Sequence, residues 1–260
     1  PFLNKLQYEN NILKFNAIAN HTHTSQSLLE ALSLNKETED TVGEIYDQKR
    51  IPISNILDSA EIKVELVSNQ GKSGTINLAS NILFKQANKV FSQDIPMVGQ
   101  KDDSLKKPFD HELFIPNLTK YLTDDNSKAI FLHSYAGHGP YHKFIPEQFL
   151  GDYHFLDNVP IKQIFKDFEN KKSILDNLII YDKTIKYINS NLKKVINLIQ
   201  NEKEPMVLIY FSDHGDNAFD GTGHDSRLVD LTMLNVPFVV YFNEIARKQY
   251  IKKWDELKKI

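Results

Sequence analysis

Imidazole and carboxylate groups are concentrated in three short polar segments of this chain. SDHGDN sets Asp213 beside His214, YAGHGPYH places His138 between two glycines, and GTGHDSR supplies His224 shortly after the first segment. The chain has no cysteine, so a metal ion would have to be held by His, Asp, Glu or hydroxyl ligands. This mixture of donors suits Zn²⁺, with Mn²⁺ as the alternative.

A further segment, HTHTSQS at 21–27, crowds hydroxyls and imidazoles ahead of an apolar run that predicts a helix. One hydroxyl is enough to cap such a helix, which we expect to be entered at Thr24 or Ser25. A threonine hydroxyl bound to zinc has a lowered pKa and becomes a usable nucleophile. The helix N-terminus would offer N–H groups and a positive dipole end to a phosphate.

Each segment alone has a simpler interpretation. An Asp-His pair after a strand is commonly a turn, GHGP is a tight turn, and HTHTS is an N-cap. Their joint occurrence at the ends of predicted strands favours a shared site, since ligands bind beyond the carboxyl ends of the strands in such sheets.

The elements that must position these segments alternate between strands and helices. Strands are predicted at 12–19, 62–69, 128–134, 205–211 and 236–242. Helices are predicted at 27–34, 52–60, 110–122, 171–200 and 243–258. The segment 73–93 is ambiguous and is expected to be helical from about Asn77, and Asp110 is expected to cap the helix that it begins.

This alternation predicts an α/β fold with a mostly parallel central sheet and helices on both faces. The strands at 205–211 and 236–242 are uniformly apolar, as expected for strands buried on both faces. No internal repeat or Pro/Gly/Ser-rich linker divides the sequence. We therefore expect one domain over residues 1–260.

Composition excludes several classes of protein. The net charge is −3 and the lysines are scattered, so nothing indicates a nucleic-acid binder. The longest apolar runs, such as MVLIYF, are too short to span a bilayer. The first residues, PFLNKLQYENN, contain no apolar h-region, so they are not expected to be a signal peptide. The absence of cysteine excludes thiol catalysis and disulfides but does not fix the compartment.

The motifs together resemble those of the alkaline phosphatase/sulfatase superfamily. They are SDHG after a buried strand, HGP with an upstream His in FLHSYAGHGPYHKFIP, the helix start TSQS, and a further His shortly after SDHG. The segments YDKTIKYIN and PFLNKL narrow this resemblance. Together with the other motifs, they resemble the catalytic domain of the lipid A phosphoethanolamine transferases. The resemblance covers nearly the whole chain.

The resemblance implies a role for each matching residue. Thr24 falls where the family has its metal-bound nucleophile, and Asp213 and His214 fall on two ligands of the same zinc ion. Thr22 is the nearest rival to Thr24, but it does not match the Thr-x-x-Ser register. The family binds one or two Zn²⁺ ions at such sites.

Further residues are assigned by the same resemblance or by their position. His138 and His224 match histidines that bind a second metal or the substrate phosphate, and His133 matches another active-site histidine. In SNQGKSG, Asn69 ends a predicted strand and Lys72 follows it, and both are expected to line the substrate site.

The implied reaction is ping-pong. Thr24 attacks the phosphorus of phosphatidylethanolamine, diacylglycerol leaves, and a lipid A or other glycan acceptor takes the phosphoethanolamine. The implied location is the periplasmic face of the inner membrane, with the membrane reached through a segment outside this chain. The oligomeric state is not predicted.

The family pattern also indicates that the chain is truncated at both ends. Family members carry a glutamate ligand upstream of the segment PFLNKL, and they continue with a helix beyond the strand at 236–242. Many relatives read SDHGE and have several disulfides, whereas this chain reads SDHGD, with Asp216 in the last place, and has no cysteine.

Other functions remain open from the sequence. A sulfatase, a phosphodiesterase and a glycerol-phosphate transferase belong to the same superfamily, and the last also uses threonine. Sulfatases generally use a Cys/Ser-x-Pro-x-Arg motif, and Pro and Arg are absent after Thr24. A non-catalytic relative that keeps only an anion pocket is the alternative from another class.

Overall fold

The computed structural model describes residues 12–35, 50–71, 78–92, 108–124, 126–151, 172–219 and 223–260. The strands in these ranges are β1 (Ile12–Ile18), β2 (Ser33–Asn35), β3 (Arg50–Pro52), β4 (Lys63–Ser68), β5 (Asn88–Phe91), β6 (Lys128–His133), β7 (Val207–Phe211) and β8 (Asn235–Phe242). The α-helices are α1 (Thr24–Ala31), α2 (Ile53–Ser59), α3 (Leu78–Leu83), α4 (Asp110–Leu122), α5 (Lys172–Ile199), α6 (Leu231–Leu234), α7 (Glu244–Gln249) and α8 (Ile251–Leu257).

The chain divides into two compact units. Residues 20–135 form one, which we call the inserted unit, and residues 1–19 with 136–260 form the other, which we call the terminal unit. The expectation of one catalytic domain over residues 1–260 stays a prediction.

The inserted unit is built on a parallel sheet in the order β5-β4-β6. The central strand β4 pairs in parallel with both neighbours, and its residues Leu66 and Val67 are fully buried. The helices α2 and α4 pack on this strand. Parallel pairing needs crossover connections, and α3 and α4 lie in those that lead to β5 and β6. The carboxyl ends of the three strands therefore meet at one edge of the sheet.

The terminal unit contains a second sheet, in the order β1-β8-β7, whose pairs are antiparallel. One core cluster of this unit consists of Val240, Phe242, Ala246 and Trp254. The buried side chain of Asn243 connects β8 to the chain after α5: its Oδ1 accepts from the Met206 and Ala246 N–H groups, at 3.0 and 2.9 Å. Its Nδ2 donates to the Glu204 carbonyl oxygen at 2.8 Å.

The predicted α/β class and the parallel sheet are confirmed, and the strands at 12–19, 62–69, 128–134, 205–211 and 236–242 are all present within a few residues. The antiparallel pairing of β1, β7 and β8 was not predicted, because periodicity does not report which strands are neighbours. The prediction that 205–211 is buried on both faces is wrong. Val207 and Ile209 are exposed on β7, which lies at the edge of its sheet.

Short elements account for the other differences. The helix predicted at 27–34 ends at Ala31, and residues 33–35 instead pair with β3. The segment 73–93 contains the helix α3 from Leu78, as expected, but also the unpredicted strand β5. The helix predicted at 243–258 is two helices, α7 and α8. Strands of three or four residues are too short to show a period, so only their pairing reveals them.

No helix in the described ranges is both long enough and apolar enough to cross a membrane.

Candidate active site

The loop after β7 is held in place by backbone contacts with the chain around α6. The N–H groups of Ser212 and Gly215 donate to the carbonyl oxygens of Pro237 and Met233, at 3.3 and 2.7 Å. A Cβ atom at position 215 would lie 2.1 Å from the carbonyl oxygen of Thr232. The glycine of SDHG is therefore required by a close approach of two backbones, and this approach fixes the residues before it.

Two imidazoles of the terminal unit are oriented by the backbone beside them. The Nδ1 atom of His214 lies 2.7 Å from the Gly215 carbonyl oxygen, and that of His138 lies 2.6 Å from the Gly139 carbonyl oxygen. A carbonyl oxygen carries no proton, so Nδ1 must donate in both rings. In the neutral ring, Nε2 then holds the lone pair, which is the form that binds a metal ion or accepts a proton.

Three imidazoles come together although they belong to separate segments. The ring of His224 is centred 4.5 Å from that of His214 and 5.6 Å from that of His138. Asp213 adds a carboxylate, with Oδ2 at 3.6 Å from the His214 Nε2 atom. The structure thus brings together four of the residues that the sequence singled out, and all four belong to the terminal unit.

Asp216 and Tyr141 complete this cluster. The Tyr141 hydroxyl donates to Asp216 Oδ2 at 2.5 Å, and Asp216 Oδ1 lies 3.9 Å from His224 Nδ1. Burial alone would raise the pKa of Asp216, but His224, Tyr141 and His214 together hold it below its ordinary value. The Asp216 carboxylate in turn raises the pKa of His224. Burial and this carboxylate raise the pKa of Tyr141 far above its usual range, so its hydroxyl remains a donor.

The donors of the cluster fit zinc in their chemistry. His138 and His214 present Nε2 lone pairs, Asp213 offers a carboxylate, and Asp216 Oδ1 is buried with no hydrogen-bond partner among the described residues. Within the described ranges, however, no three His, Asp or Glu side chains converge closely enough to hold a metal ion. The metal-ligand set therefore stays a prediction.

In the inserted unit, Thr24 is the first residue of α1. The N-cap position belongs to His23, so the expectation that a hydroxyl side chain occupies it is wrong. Thr22 is only 3% exposed, and its hydroxyl has no hydrogen-bond partner among the described residues. Thr24 is half-buried. A substrate can approach Thr24 more readily than Thr22, which favours Thr24 as the nucleophile.

The carboxyl ends of β4 and β6 hold the remaining predicted residues. Ser68 Oγ lies 3.1 Å from His133 Nδ1. Asn69 is 4% exposed, and its Nδ2 donates to Asp110 Oδ1 at 2.6 Å and to the Pro108 carbonyl oxygen at 3.1 Å. Asp110 was expected to cap α4 but is its first residue, with Phe109 at the N-cap. Its carboxylate instead accepts the hydrogen bond from Asn69 at the carboxyl end of β4.

The predicted residues therefore fall into two groups. In the terminal unit are His138, Asp213, His214 and His224; in the inserted unit are Thr24, Asn69 and His133. Lys72 lies outside the described residues. The sequence indicated no role for Tyr141 and the wrong role for Asp110. Their partners, Asp216 and Asn69, lie 75 and 41 residues away along the chain, so no local pattern indicates these contacts.

Comparisons with known proteins show a partial match to one curated protein. The phosphoethanolamine transferase EptA of Helicobacter pylori is 29% identical over 150 residues, which cover 55% of this chain and 27% of that protein. This chain thus spans about a quarter of the length of the curated relative that it matches.

Two solved structures share the fold. The C-terminal periplasmic domain of EptC from Escherichia coli, in complex with Zn, has a TM-score of 0.73 at 22% identity and covers 95% of this chain and 67% of its own. The soluble domain of lipooligosaccharide phosphoethanolamine transferase A from Neisseria meningitidis has a TM-score of 0.70 at 19% identity, with 95% of this chain and 70% of its own covered. The family model described as Sulfatase matches residues 1–256, so the chain belongs to the sulfatase family.

Proposed function

We propose that this chain is the catalytic part of a metal-dependent phosphoethanolamine transferase. It moves phosphoethanolamine from phosphatidylethanolamine to a lipid A or other glycan acceptor through a phosphothreonine at Thr24. The observation that carries the proposal is the convergence of His138, His214 and His224 from separate segments of a sulfatase-family chain. Relatives named as phosphoethanolamine transferases support this choice of substrate over others in the superfamily.

The first half-reaction is an in-line displacement at phosphorus. A bond forms between the Thr24 hydroxyl oxygen and phosphorus, and the bond from phosphorus to the diacylglycerol oxygen breaks. Thr24 loses its proton, and the departing diacylglycerol oxygen gains one. The exposure of Thr24 relative to Thr22, and its position as the first residue of a helix, support it as the attacking residue.

The second half-reaction reverses the roles of the oxygens. An acceptor hydroxyl attacks the phosphorus of the phosphothreonine, the bond to Thr24 breaks, and Thr24 recovers its proton. The acceptor then carries the phosphoethanolamine, and the enzyme is ready for another donor. Each half-reaction transfers one phosphoethanolamine group and moves one proton from the attacking oxygen to the departing one.

Zinc is the proposed metal. Asp213, His214 and Thr24 would hold one ion, and His138 and His224 would hold a second ion or the substrate phosphate. A bound zinc ion supplies positive charge at the reacting oxygens and lowers the pKa of a hydroxyl bound to it. The Nδ1 contacts of His138 and His214 support these roles, because they leave Nε2 as the ligating atom.

The imidazoles have a further role in binding negative charge. His224 lies beside the Asp216 carboxylate, which favours its protonated form, and a protonated ring donates hydrogen bonds to phosphate oxygens. His133 and Asn69 are proposed to contact the substrate from the edge of the parallel sheet.

The proposed location is the periplasmic face of the inner membrane. It is supported by the E. coli relative, a periplasmic domain, and by an N. meningitidis relative described as an integral membrane protein. The proposed attachment to the membrane is through a segment outside this chain.

Intact-protein mass spectrometry tests the proposal directly. The chain is incubated with phosphatidylethanolamine vesicles and Zn²⁺, and a mass gain of one phosphoethanolamine is expected. Thr24→Ala should abolish the gain. Thr22→Ala is the matched control, since it removes the same kind of hydroxyl two residues away, and it should retain the gain.

The other outcomes are also informative. A gain that survives Thr24→Ala but not Thr22→Ala would move the nucleophile to Thr22. An adduct formed from phosphatidylglycerol and not from phosphatidylethanolamine would assign the chain to the glycerol-phosphate transferases. No adduct from either donor, in this chain and in a longer one with the upstream glutamate, would overturn the transferase assignment.

A further inference from the structure

Asp110 is a buried carboxylate that no sequence motif marks as functional. It is 2% exposed, at the first residue of α4. Its Oδ1 accepts from Asn69 Nδ2 at 2.6 Å and from the Tyr135 N–H group at 3.3 Å, and its Oδ2 accepts a short hydrogen bond from Ser134 Oγ. One side chain thus connects a helix start with the residues that follow β4 and β6.

The contact with Asp110 determines which way the Asn69 amide faces. Both neighbours of its Nδ2 atom, the Asp110 carboxylate and the Pro108 carbonyl oxygen, are acceptors. The opposite orientation would set the Asn69 carbonyl oxygen against a carboxylate oxygen, where both atoms are negative. The NH₂ group must therefore face Asp110, and Oδ1 must face away from it.

The backbone of Asn69 is held as firmly as its side chain. Its N–H group donates to the His133 carbonyl oxygen at 2.9 Å, and its own carbonyl oxygen accepts from Ser92 Oγ at 3.0 Å. Asn69 Oδ1 is buried and has no hydrogen-bond partner among the described residues. Buried acceptors in proteins are nearly always paired, so an oriented and unpaired one is suited to a ligand.

We propose that Asp110 is a positioning residue, which fixes the Asn69 amide so that Oδ1 accepts a hydrogen bond from the substrate. The group recognised there is a hydrogen-bond donor, such as the ammonium of phosphoethanolamine, and not a phosphate oxygen. This inference rests on the proposed function for its substrate, but the orientation of Asn69 can be tested without it.

A nearby carboxylate provides the matched control. Glu112 lies in the same first turn of α4, and its Oε2 accepts from the Phe109 N–H group at 2.9 Å. Glu112→Gln removes the same negative charge from the same helix N-terminus as Asp110→Asn. Any effect of Asp110→Asn that Glu112→Gln lacks must come from the contacts at the sheet edge.

The first measurement is the exchange of the Asn69 side-chain amide protons, by NMR of chain labelled with ¹⁵N-asparagine. Both protons are expected to be protected, because one is donated to the buried Asp110 carboxylate and the other to the Pro108 carbonyl oxygen. Asp110→Asn should accelerate their exchange about tenfold, because a neutral amide oxygen replaces the charged carboxylate as the acceptor, and Glu112→Gln should not. Unchanged exchange in folded Asp110→Asn would overturn the proposal.

A milder variant covers the case in which Asp110→Asn does not fold. Ser134→Ala removes one donor from Asp110 Oδ2 without touching Asn69. It should loosen the Asn69 amide in the same direction but by less. If Asp110→Asn fails to fold and Ser134→Ala leaves the exchange unchanged, the proposal is overturned as well.

The second measurement is the KM for phosphatidylethanolamine in a transfer assay. Asp110→Asn should raise KM about tenfold with little change in kcat, and this rise should vanish in an Asn69→Ala background. A purely structural role would give the same rise in both backgrounds, which would overturn the proposal. If neither the wild-type chain nor a longer one with the upstream glutamate transfers anything while the exchange result holds, the transferase assignment fails and the positioning of Asn69 stands.

Discussion

The two units orient their chemical side chains in different ways. In the terminal unit, the rings of His138 and His214 are held by the carbonyl oxygen of the next residue, in both cases a glycine. In the inserted unit, His133 contacts Ser68 and Asn69 contacts Asp110, partners 65 and 41 residues distant. The first arrangement depends on backbone conformation and the second on tertiary packing, so the two should respond to different substitutions.

The largest effect is expected for Gly215→Ala. The added Cβ would meet the Thr232 carbonyl oxygen at 2.1 Å, so two backbone segments must separate. We expect a loss of about 3 kcal/mol in the free energy of unfolding, measured by urea denaturation. Gly151→Ala is the control, since no atom of the described residues lies within 4 Å of its Cβ, and it should be nearly neutral. Equal stability of the two variants would contradict the view that backbone contact fixes this loop.

Tyr141→Phe should have the next largest effect. It removes the hydroxyl that donates to Asp216 at 2.5 Å and leaves a half-buried carboxylate with fewer donors. We expect a loss of about 2 kcal/mol in the free energy of unfolding, as for other hydrogen bonds to charged groups. Tyr250→Phe, at an exposed position, should change it by less than about 0.5 kcal/mol. A loss as large as that of Gly215→Ala would mean that the terminal unit also depends mainly on long-range side-chain contacts.

Ser68→Ala tests the inserted unit. Its hydroxyl is buried, contacts His133 Nδ1 at 3.1 Å and accepts from the Gln70 N–H group at 3.2 Å. We expect a loss of about 1 kcal/mol in the free energy of unfolding, with a change in the ¹⁵N shifts of the His133 ring. Ser59→Ala removes an exposed hydroxyl and should alter neither quantity. An unchanged His133 spectrum in Ser68→Ala would show that this ring is held by other contacts.

The smallest effect is expected for Glu30→Gln. Glu30 pairs with Arg50 across 20 residues, but its side chain is 44% exposed, and exposed ion pairs contribute little. Thermal and urea denaturation should show a change below about 0.5 kcal/mol. A larger loss would indicate that separation along the chain, and not burial, determines how much such contacts contribute to the stability of the inserted unit.

This contrast also explains what the sequence could predict. SDHG and HGP stand out as motifs, and the carbonyl oxygens that orient their histidines belong to the next residue. Their joint occurrence in the sequence favoured a shared site, but β6 and β7, which precede HGP and SDHG, belong to different sheets. The fold class followed from the alternation of long apolar segments, because the periodicity of each segment can be recognised without knowing which segments pack beside it.

The features that the sequence did not predict depend on contacts with residues that no local sequence pattern indicates. Asp110 precedes an apolar helical pattern and so resembles a cap, and only the folded sheet edge shows that its carboxylate holds Asn69. Tyr141 resembles an ordinary core aromatic until Asp216 is brought to it from 75 residues away. The strand β5 and the exposed face of β7 likewise follow from pairing and sheet order, which are properties of the assembled chain.

The pairing of β1 with β8 also affects the order in which parts of the chain can fold during synthesis. Ile12 lies opposite Tyr241 and Ile18 opposite Asn235, so the sheet joins two segments separated by the whole inserted unit. During synthesis, β1 leaves the ribosome long before its partner exists, whereas the strands of the inserted unit are all available by residue 133. The inserted unit can therefore mature first, and until the last part of the chain emerges β1 remains an unpaired edge, a natural point for chaperones to act.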